Sequence, residues 1–179
     1  YASAKHVNIL NVAPDLRDKV ILINGASKAY AMTGWRIGYA LGPKPLIAKM
    51  NTLQTHLTSN ASSIAQWAAW GAVKDADPDV EKMREAFEER RGVILGLVRD
   101  MPYVKVRDPE GAFYIFIDVR ESPIPDDMKF CEKLLEEKFV AAVPGAAFFA
   151  PGFVRFSYAC SMENIREGMG RLKEFLQSL

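Results

Sequence analysis

Two cationic residues lie close together in the stretch NGASKAYAMTGWRIGYALGP, residues 24–43: Lys28, and Arg36 eight positions later. Lys28 directly follows an apolar segment that predicts a buried strand, and strand ends in α/β sheets commonly present side chains to a ligand. A lysine amine that is partly deprotonated, by neighbouring cations or by desolvation, can form a Schiff base with a carbonyl compound. The alternative is that Lys28 is an ordinary solvated loop lysine. If only its immediate neighbours in the sequence are considered, this alternative is favoured.

Arg36 stands between Trp35 and Ile37 in a segment that predicts a second strand. An arginine inside an apolar strand is costly unless it has an anionic partner, and its planar fork of donors suits a phosphate. The alternative is a buried structural salt bridge. Taken together, a nucleophilic lysine and a phosphate-binding arginine describe a site for pyridoxal phosphate.

The elements that must position these residues alternate between strands and helices. Buried strands are predicted over residues 18–25 and 35–42, the second ending at Gly42-Pro43. Apolar residues at helical spacing predict helices over residues 43–56 and 61–74. Ser59 and Asn60 are the predicted N-terminal caps of the second helix. This part of the chain is therefore predicted to be an α/β unit.

The remainder of the chain opens with a long charged segment that predicts one extended helix over residues 79–100. Four short strands are predicted after it, over residues 104–106, 111–119, 140–143 and 153–159. Helices are predicted over 126–137 and 162–179, with Ser161 as the N-cap of the last. The second part is thus predicted to be a smaller α+β unit.

Composition excludes several classes of partner. The 23 Lys and Arg residues nearly balance the 22 Asp and Glu residues, and the charges alternate along helices, so nucleic acid is not an expected partner. With two distant cysteines and two histidines, neither a metal site nor a disulfide is expected, and a reducing, cytoplasmic location is predicted. The longest apolar segment, residues 139–154, is interrupted by Pro and Gly, so no membrane span is predicted.

The residues around Lys28 resemble a known signature. Gly25-Ala26-Ser27-Lys28, followed by Ala31-Met32, Gly34 and Arg36-Ile37-Gly38, is similar to the pyridoxal-phosphate attachment motif of class I, aspartate aminotransferase-like enzymes. The resemblance continues in order through TGWRIGYALGPKPLI, AQWAAW, GAFYIFIDV, VAAVPGAAF and VRFSYACSMENI. It implies an α/β fold-type I transferase, with the end of a large mixed-sheet domain over residues 1–76 and a small α+β domain over residues 77–179.

The resemblance also assigns roles to individual residues. Lys28 would bind pyridoxal 5'-phosphate as a Schiff base and move a proton at the substrate α-carbon, and Arg36 would bind the cofactor phosphate. Ser27 and Gly25 lie in the same turn and would contribute to cofactor binding. Many relatives have a hydroxyl residue at the position of Gly25, so the resemblance leaves one phosphate contact open.

Arg155 is the third cation that the resemblance marks. Strand alternation puts Val154, Phe156 and Tyr158 on one face and Arg155 on the other. From the residues alone it could equally be a strand arginine whose charge reaches solvent. In the family, the arginine of this motif binds the substrate α-carboxylate, for which a bidentate guanidinium is better suited than lysine.

The implied function is transfer of an amino group between an amino acid and a 2-oxo acid in a homodimer, with aspartate and 2-oxoglutarate as the favoured pair. Another pyridoxal phosphate enzyme (a lyase, decarboxylase or synthase) and a cofactor-free interaction module remain alternatives. The chain is expected to be the C-terminal part of a longer protein and inactive alone. Its predicted first unit should then expose apolar strand surface.

Overall fold

The computed structural model describes all of residues 1–179 and divides into two compact units. Lys5–Met83 form the first, here called the hairpin unit; Tyr1–Ala4 together with Arg84–Leu179 form the second, called the sheet unit. The division falls inside a long helix, between residues 83 and 84. The sequence-based domain boundary between residues 76 and 77 stays a prediction.

The hairpin unit is built on a two-stranded antiparallel ribbon flanked in sequence by helices. A short helix α1 (Ile9–Val12) comes first, then strands β1 (Leu22–Gly25) and β2 (Gly38–Leu41), and then helices α2 (Lys44–Thr58) and α3 (Ser63–Asp75). The ribbon pairs Leu22 with Leu41 at one end and Gly25 with Gly38 at the other. Both predicted strands exist, but each is only four residues long.

The sheet unit contains a four-stranded, wholly antiparallel sheet of order β3-β4-β6-β5. Helix α4 (Asp77–Arg99) crosses the boundary between the units. The elements that follow it are β3 (Lys105–Val106), β4 (Tyr114–Asp118), α5 (Asp127–Lys138), β5 (Val143–Pro144), β6 (Phe153–Ser157) and α6 (Met162–Ser178). Every strand and helix predicted for this part of the chain is present, with boundaries shifted by a few residues.

The hydrophobic core of the protein lies in the sheet unit, where one face of the sheet and the apolar sides of the helices are buried. On β6, Val154 and Phe156 are buried and Tyr158 follows them on the same side, so the predicted strand alternation is confirmed. Phe130 of α5 and Phe175 of α6 meet edge to face at 5.3 Å between ring centroids.

In the hairpin unit only Ala26, Met32 and Ala65 are buried. Ile23 of β1 is 77% exposed, and Trp67 and Trp70 of α3 are mostly exposed as well. The prediction of two buried strands is therefore wrong for this chain, whereas the prediction that its first unit exposes apolar strand surface is confirmed. Apolar surface of this extent is the kind that normally contacts other protein.

The structure confirms one of the two predicted helix N-caps. Ser161 caps α6, with its hydroxyl accepting from the Asn164 amide at 3.1 Å, as predicted. The caps predicted for α3 are wrong: the N-cap residue is Ser62, and Ser59 instead ends α2 with φ of 65°.

No helix of the structure is long and apolar enough to cross a membrane.

Neither cysteine is in a disulfide, and their environments differ. Burial, with the nearby charges of Asp127 and Glu132, raises the pKa of the Cys131 thiol to about 11. Because the thiolate is the reactive form, iodoacetamide at pH 8 should modify the half-buried Cys160 well before Cys131 in the native protein. Peptide mapping by mass spectrometry measures both rates. Equal modification rates of the two cysteines in the native protein would contradict the protection of Cys131 by burial. In denaturant the two rates should become similar.

Candidate active site

The end of the β1–β2 ribbon brings Lys28 and Arg36 into one loop. Gly25 and Gly38 form the last residue pair of the ribbon, and residues 26–37 connect the two strands beyond it. Lys28 lies three residues after β1 and Arg36 two residues before β2, and both are exposed within the hairpin unit. The antiparallel pairing therefore places both cations at the same end of the ribbon.

Backbone hydrogen bonds fix the loop that carries Lys28. The Ala26 amide donates to the Ile37 carbonyl at 3.3 Å, which extends the ribbon pairing into the loop. The Lys28 carbonyl accepts from the Ala31 amide at 3.2 Å, and Ala26 and Met32 are buried on either side of this turn. Lys28 thus projects from an ordered turn with buried anchor residues before and after it.

Arg36 is not inside a strand, which corrects the sequence-based expectation. It follows a 3-10 turn, Thr33–Trp35, and has a left-handed backbone with φ of 51°. Its Nη1 donates to the Thr33 carbonyl at 2.9 Å, and no carboxylate of the chain forms an ion pair with it. The alternative of a buried salt bridge is therefore wrong: the guanidinium is exposed, and most of its donors remain available to an anion.

Ser27 and Gly25 lie in the same turn as Lys28. Ser27 is half-buried, and the Gly25 amide donates to the Asn24 side-chain oxygen at 2.8 Å. A Cβ built on Gly25 would lie 3.6 Å from its nearest neighbour, the Ile37 carbonyl oxygen, which is an ordinary contact distance. Position 25 therefore has room for a side chain.

Arg155 lies in the sheet unit, on the face of β6 opposite the core. Its guanidinium carbon is 4.3 Å from the ring centroid of Tyr114 and 4.2 Å from that of Phe148. No carboxylate of the chain pairs with it. Aromatic rings over a guanidinium restrain its plane and attract its charge, while its N–H groups point outward in that plane. This arrangement leaves a fork of donors for a carboxylate from outside the chain.

Tyr114 and Phe148 contact the Arg155 guanidinium and were not predicted from the sequence. Arg155 pairs with Phe116 across the β4–β6 ladder, and Tyr114 lies two residues before Phe116 on the same face. Phe148 belongs to the loop between β5 and β6, and its ring meets that of Phe116 edge to face at 5.8 Å. Alternation along β4 could have suggested Tyr114, but only with the strand pairing known.

Residues 111–113 precede β4 and contact the core of the sheet unit at two points. The Phe113 ring stacks on Phe87 at 5.7 Å, and the Ala112 carbonyl accepts from the Tyr158 hydroxyl at 3.0 Å. Burial raises the pKa of Tyr158, and a hydrogen bond with Tyr1 adds to this shift. Phe113 thus packs against the core of the sheet unit, and the exposed Ala112 contributes its backbone carbonyl.

The structure thus groups Gly25, Ser27, Lys28 and Arg36 at one ribbon end, while Arg155 belongs to the other compact unit. The amine and guanidinium at the ribbon end suit a ligand with a carbonyl and a phosphate group. The Arg155 guanidinium, which lies over the rings of Tyr114 and Phe148, suits a carboxylate. No cluster of three or more His, Cys, Asp or Glu side chains able to hold a metal ion occurs in the chain.

Known proteins share both the sequence and the fold. The family model for aminotransferase class I and II matches residues 1–172. The aspartate aminotransferase of Geobacillus stearothermophilus is 43% identical over 182 residues, which cover 99% of this chain and 46% of that protein. The aspartate/prephenate aminotransferase of Nitrosomonas europaea is 42% identical over 180 residues, covering 95% of this chain and 45% of that protein.

The crystal structure of the aspartate aminotransferase from Rhizobium meliloti superposes with a TM-score of 0.93 at 37% identity, over 99% of this chain and 46% of that chain. The chain therefore spans about half the length of the relatives that it matches. Its mixed α/β fold is that of fold-type I pyridoxal phosphate-dependent aminotransferases. The chain belongs to the class I and II aminotransferase family.

Proposed function

We propose that the full-length protein is a pyridoxal phosphate-dependent aminotransferase that uses aspartate as amino donor and 2-oxoglutarate as acceptor. The observation that carries this proposal is the placement of Lys28 and Arg36 at one end of the β1–β2 ribbon. Relatives named as aspartate aminotransferases support the choice of donor. Such a protein would act as a homodimer on amino and 2-oxo acids.

The residues at the ribbon end fit pyridoxal 5'-phosphate. When bound, this group supplies a carbonyl carbon that reacts with amines and a ring that withdraws electrons from the substrate α-carbon. Lys28 would attach the group covalently through Nζ and, once displaced by the substrate amine, carry a proton to and from the substrate α-carbon. Arg36 would hold the phosphate, with Ser27 and the backbone of Gly25 beside it.

Arg155 would bind the α-carboxylate of both substrates. Its donors have no carboxylate partner within the chain, so a substrate would supply the missing anion. Tyr114 and Phe148 would keep the guanidinium plane fixed, which reduces the entropy lost when a carboxylate binds. In this assignment residues 1–76 belong to the large domain and residues 77–179 to the small domain.

Half-reactions of the full-length protein with bound cofactor test the proposal. Aspartate added without an oxo acid should release one equivalent of its 2-oxo acid per cofactor and then stop, until 2-oxoglutarate is added. Continuous release of ammonia or carbon dioxide would instead identify a lyase or a decarboxylase. A protein without any spectral response to cofactor and amino acids would be an interaction module.

Gly25→Ser tests the phosphate contact that this chain lacks. Because position 25 has room for a side chain, the added hydroxyl should donate to the cofactor phosphate and lower the Kd for pyridoxal phosphate by about 10- to 100-fold, the effect of one hydrogen bond to a charged group. Equilibrium dialysis measures this Kd. Gly34→Ser is the matched control, since a Cβ there meets nothing within 4 Å. An equal gain in both variants would contradict the contact.

A further inference from the structure

The loop that carries Phe148 is held by a buried carboxylate from a different element. Asp127, the first residue of α5, is 6% exposed. Its Oδ2 accepts from the Ala146 amide at 2.7 Å, and its Oδ1 accepts from the Gly152 amide at 3.2 Å. One carboxylate therefore ties both ends of the segment 145–152 to the start of α5.

Asp127 bonds to this loop, and a different residue caps its helix. The N-cap of α5 is Asp126, whose side chain accepts from the Lys129 amide at 3.0 Å. Burial by itself raises the pKa of Asp127, but backbone donors, those of Ala146 and Gly152 first, bring it below its ordinary value. The carboxylate is thus charged at neutral pH, and bonds from N–H groups to a charged acceptor are strong.

The loop itself has little freedom. The Gly145 carbonyl accepts from the Ala150 amide at 3.0 Å, and a Cβ on Gly145 would lie 2.2 Å from the Ala150 oxygen. Gly152 has φ of 79°, and a Cβ there would lie 2.4 Å from Cγ of Arg120. The segment is closed on itself and against the end of β4, so its position depends on the bonds that anchor it.

We infer that Asp127 is a positioning residue for carboxylate binding by Arg155. Its two bonds fix the segment 145–152, that segment places the Phe148 ring on the guanidinium, and the ring holds the donor fork in the plane that a carboxylate requires. Asp127 reaches the substrate only through this loop. The inference rests on the proposed function, because it takes Arg155 as the carboxylate ligand.

The test uses Asp127→Asn in the full-length enzyme with its cofactor. Both oxygens of Asp127 face N–H donors, so the amide group of asparagine must face one of them and lose that bond. The KM for aspartate and the Kd for succinate, a dicarboxylate that lacks an amine, should both rise about tenfold, while kcat and cofactor content stay within about twofold of wild type. Calorimetry measures the succinate Kd.

Asp126→Asn is the matched control, because it makes the same change one residue away and asparagine remains a good N-cap. It should leave KM and Kd unchanged. Phe148→Leu should raise both constants, and combining it with Asp127→Asn should give less than the product of the single effects, since both act through the same ring. Multiplicative effects would overturn the inference.

A lower melting temperature of Asp127→Asn with wild-type KM and Kd would show a purely structural role and also overturn it. If this variant does not fold, Ala146→Pro removes the 2.7 Å bond from the loop side and should raise the same constants. If Arg155→Ala binds succinate as wild type does, Arg155 is not the carboxylate ligand and the inference fails, whereas the half-reactions test the aminotransferase function separately. If Arg155→Ala binds succinate weakly but Asp127→Asn binds it as wild type does, only the inference about Asp127 fails, and Arg155 remains the carboxylate ligand.

Discussion

Lys28→Ala in the full-length enzyme should lower kcat for transamination by at least about 1,000-fold, because one substitution removes both the covalent attachment of the cofactor and the proton carrier at the substrate α-carbon. Pyridoxal phosphate should still bind through Arg36, but it should leave on dialysis faster than from wild type. Steady-state assays with aspartate and 2-oxoglutarate measure the loss, and absorbance after dialysis measures retained cofactor.

The attachment point can be mapped directly. Borohydride reduction of the wild-type holoenzyme should leave the cofactor covalently bound to the peptide that contains Lys28. Lys49→Ala is a suitable control, since Lys49 is an exposed residue of α2 with no assigned role. It should retain wild-type turnover and the same labelled peptide. A label on any other lysine would remove the assignment of Lys28.

The placement of Lys28 and Arg36 near each other could be predicted, because both belong to one short stretch between two recognisable strands. The conformation of that stretch could not. Apolar composition signals burial, so it predicted two longer, buried strands, whereas in this chain Ile23 is mostly exposed. Arg36 follows a 3-10 turn and has a left-handed backbone, a conformation that glycine adopts most readily. Because position 36 is an arginine, nothing in the sequence indicated this conformation.

The surroundings of Arg155 depend on contacts between segments that are distant in sequence. Alternation along β6 was enough to put Arg155 opposite the core, because side chains in a strand alternate between its faces. Tyr114 reaches it through the β4–β6 register, and Phe148 through a loop anchored by Asp127. A single sequence does not contain strand register, so these residues were found only in the structure.

Substitution of the two arginines should separate cofactor binding from substrate binding. Arg155→Ala should lower kcat/KM for aspartate by about 2 to 5 kcal/mol, roughly 30-fold to several thousand-fold, as expected when one partner of a charge pair is removed. Its cofactor content should match wild type. Arg36→Ala should instead raise the Kd for pyridoxal phosphate, and its kcat/KM should recover in part when excess cofactor is added.

Arg155→Lys distinguishes the geometry of the guanidinium from its charge. Lysine keeps the positive charge but lacks the planar group that offers two parallel donors and can stack on the rings of Tyr114 and Phe148, so its kcat/KM should stay much closer to Arg155→Ala than to wild type. Arg166→Ala, at an exposed position of α6, should leave both cofactor content and kcat/KM unchanged. If Arg36→Ala and Arg155→Ala lost cofactor equally, the Arg155 guanidinium would be serving the cofactor or the fold, and the substrate carboxylate would have to bind elsewhere.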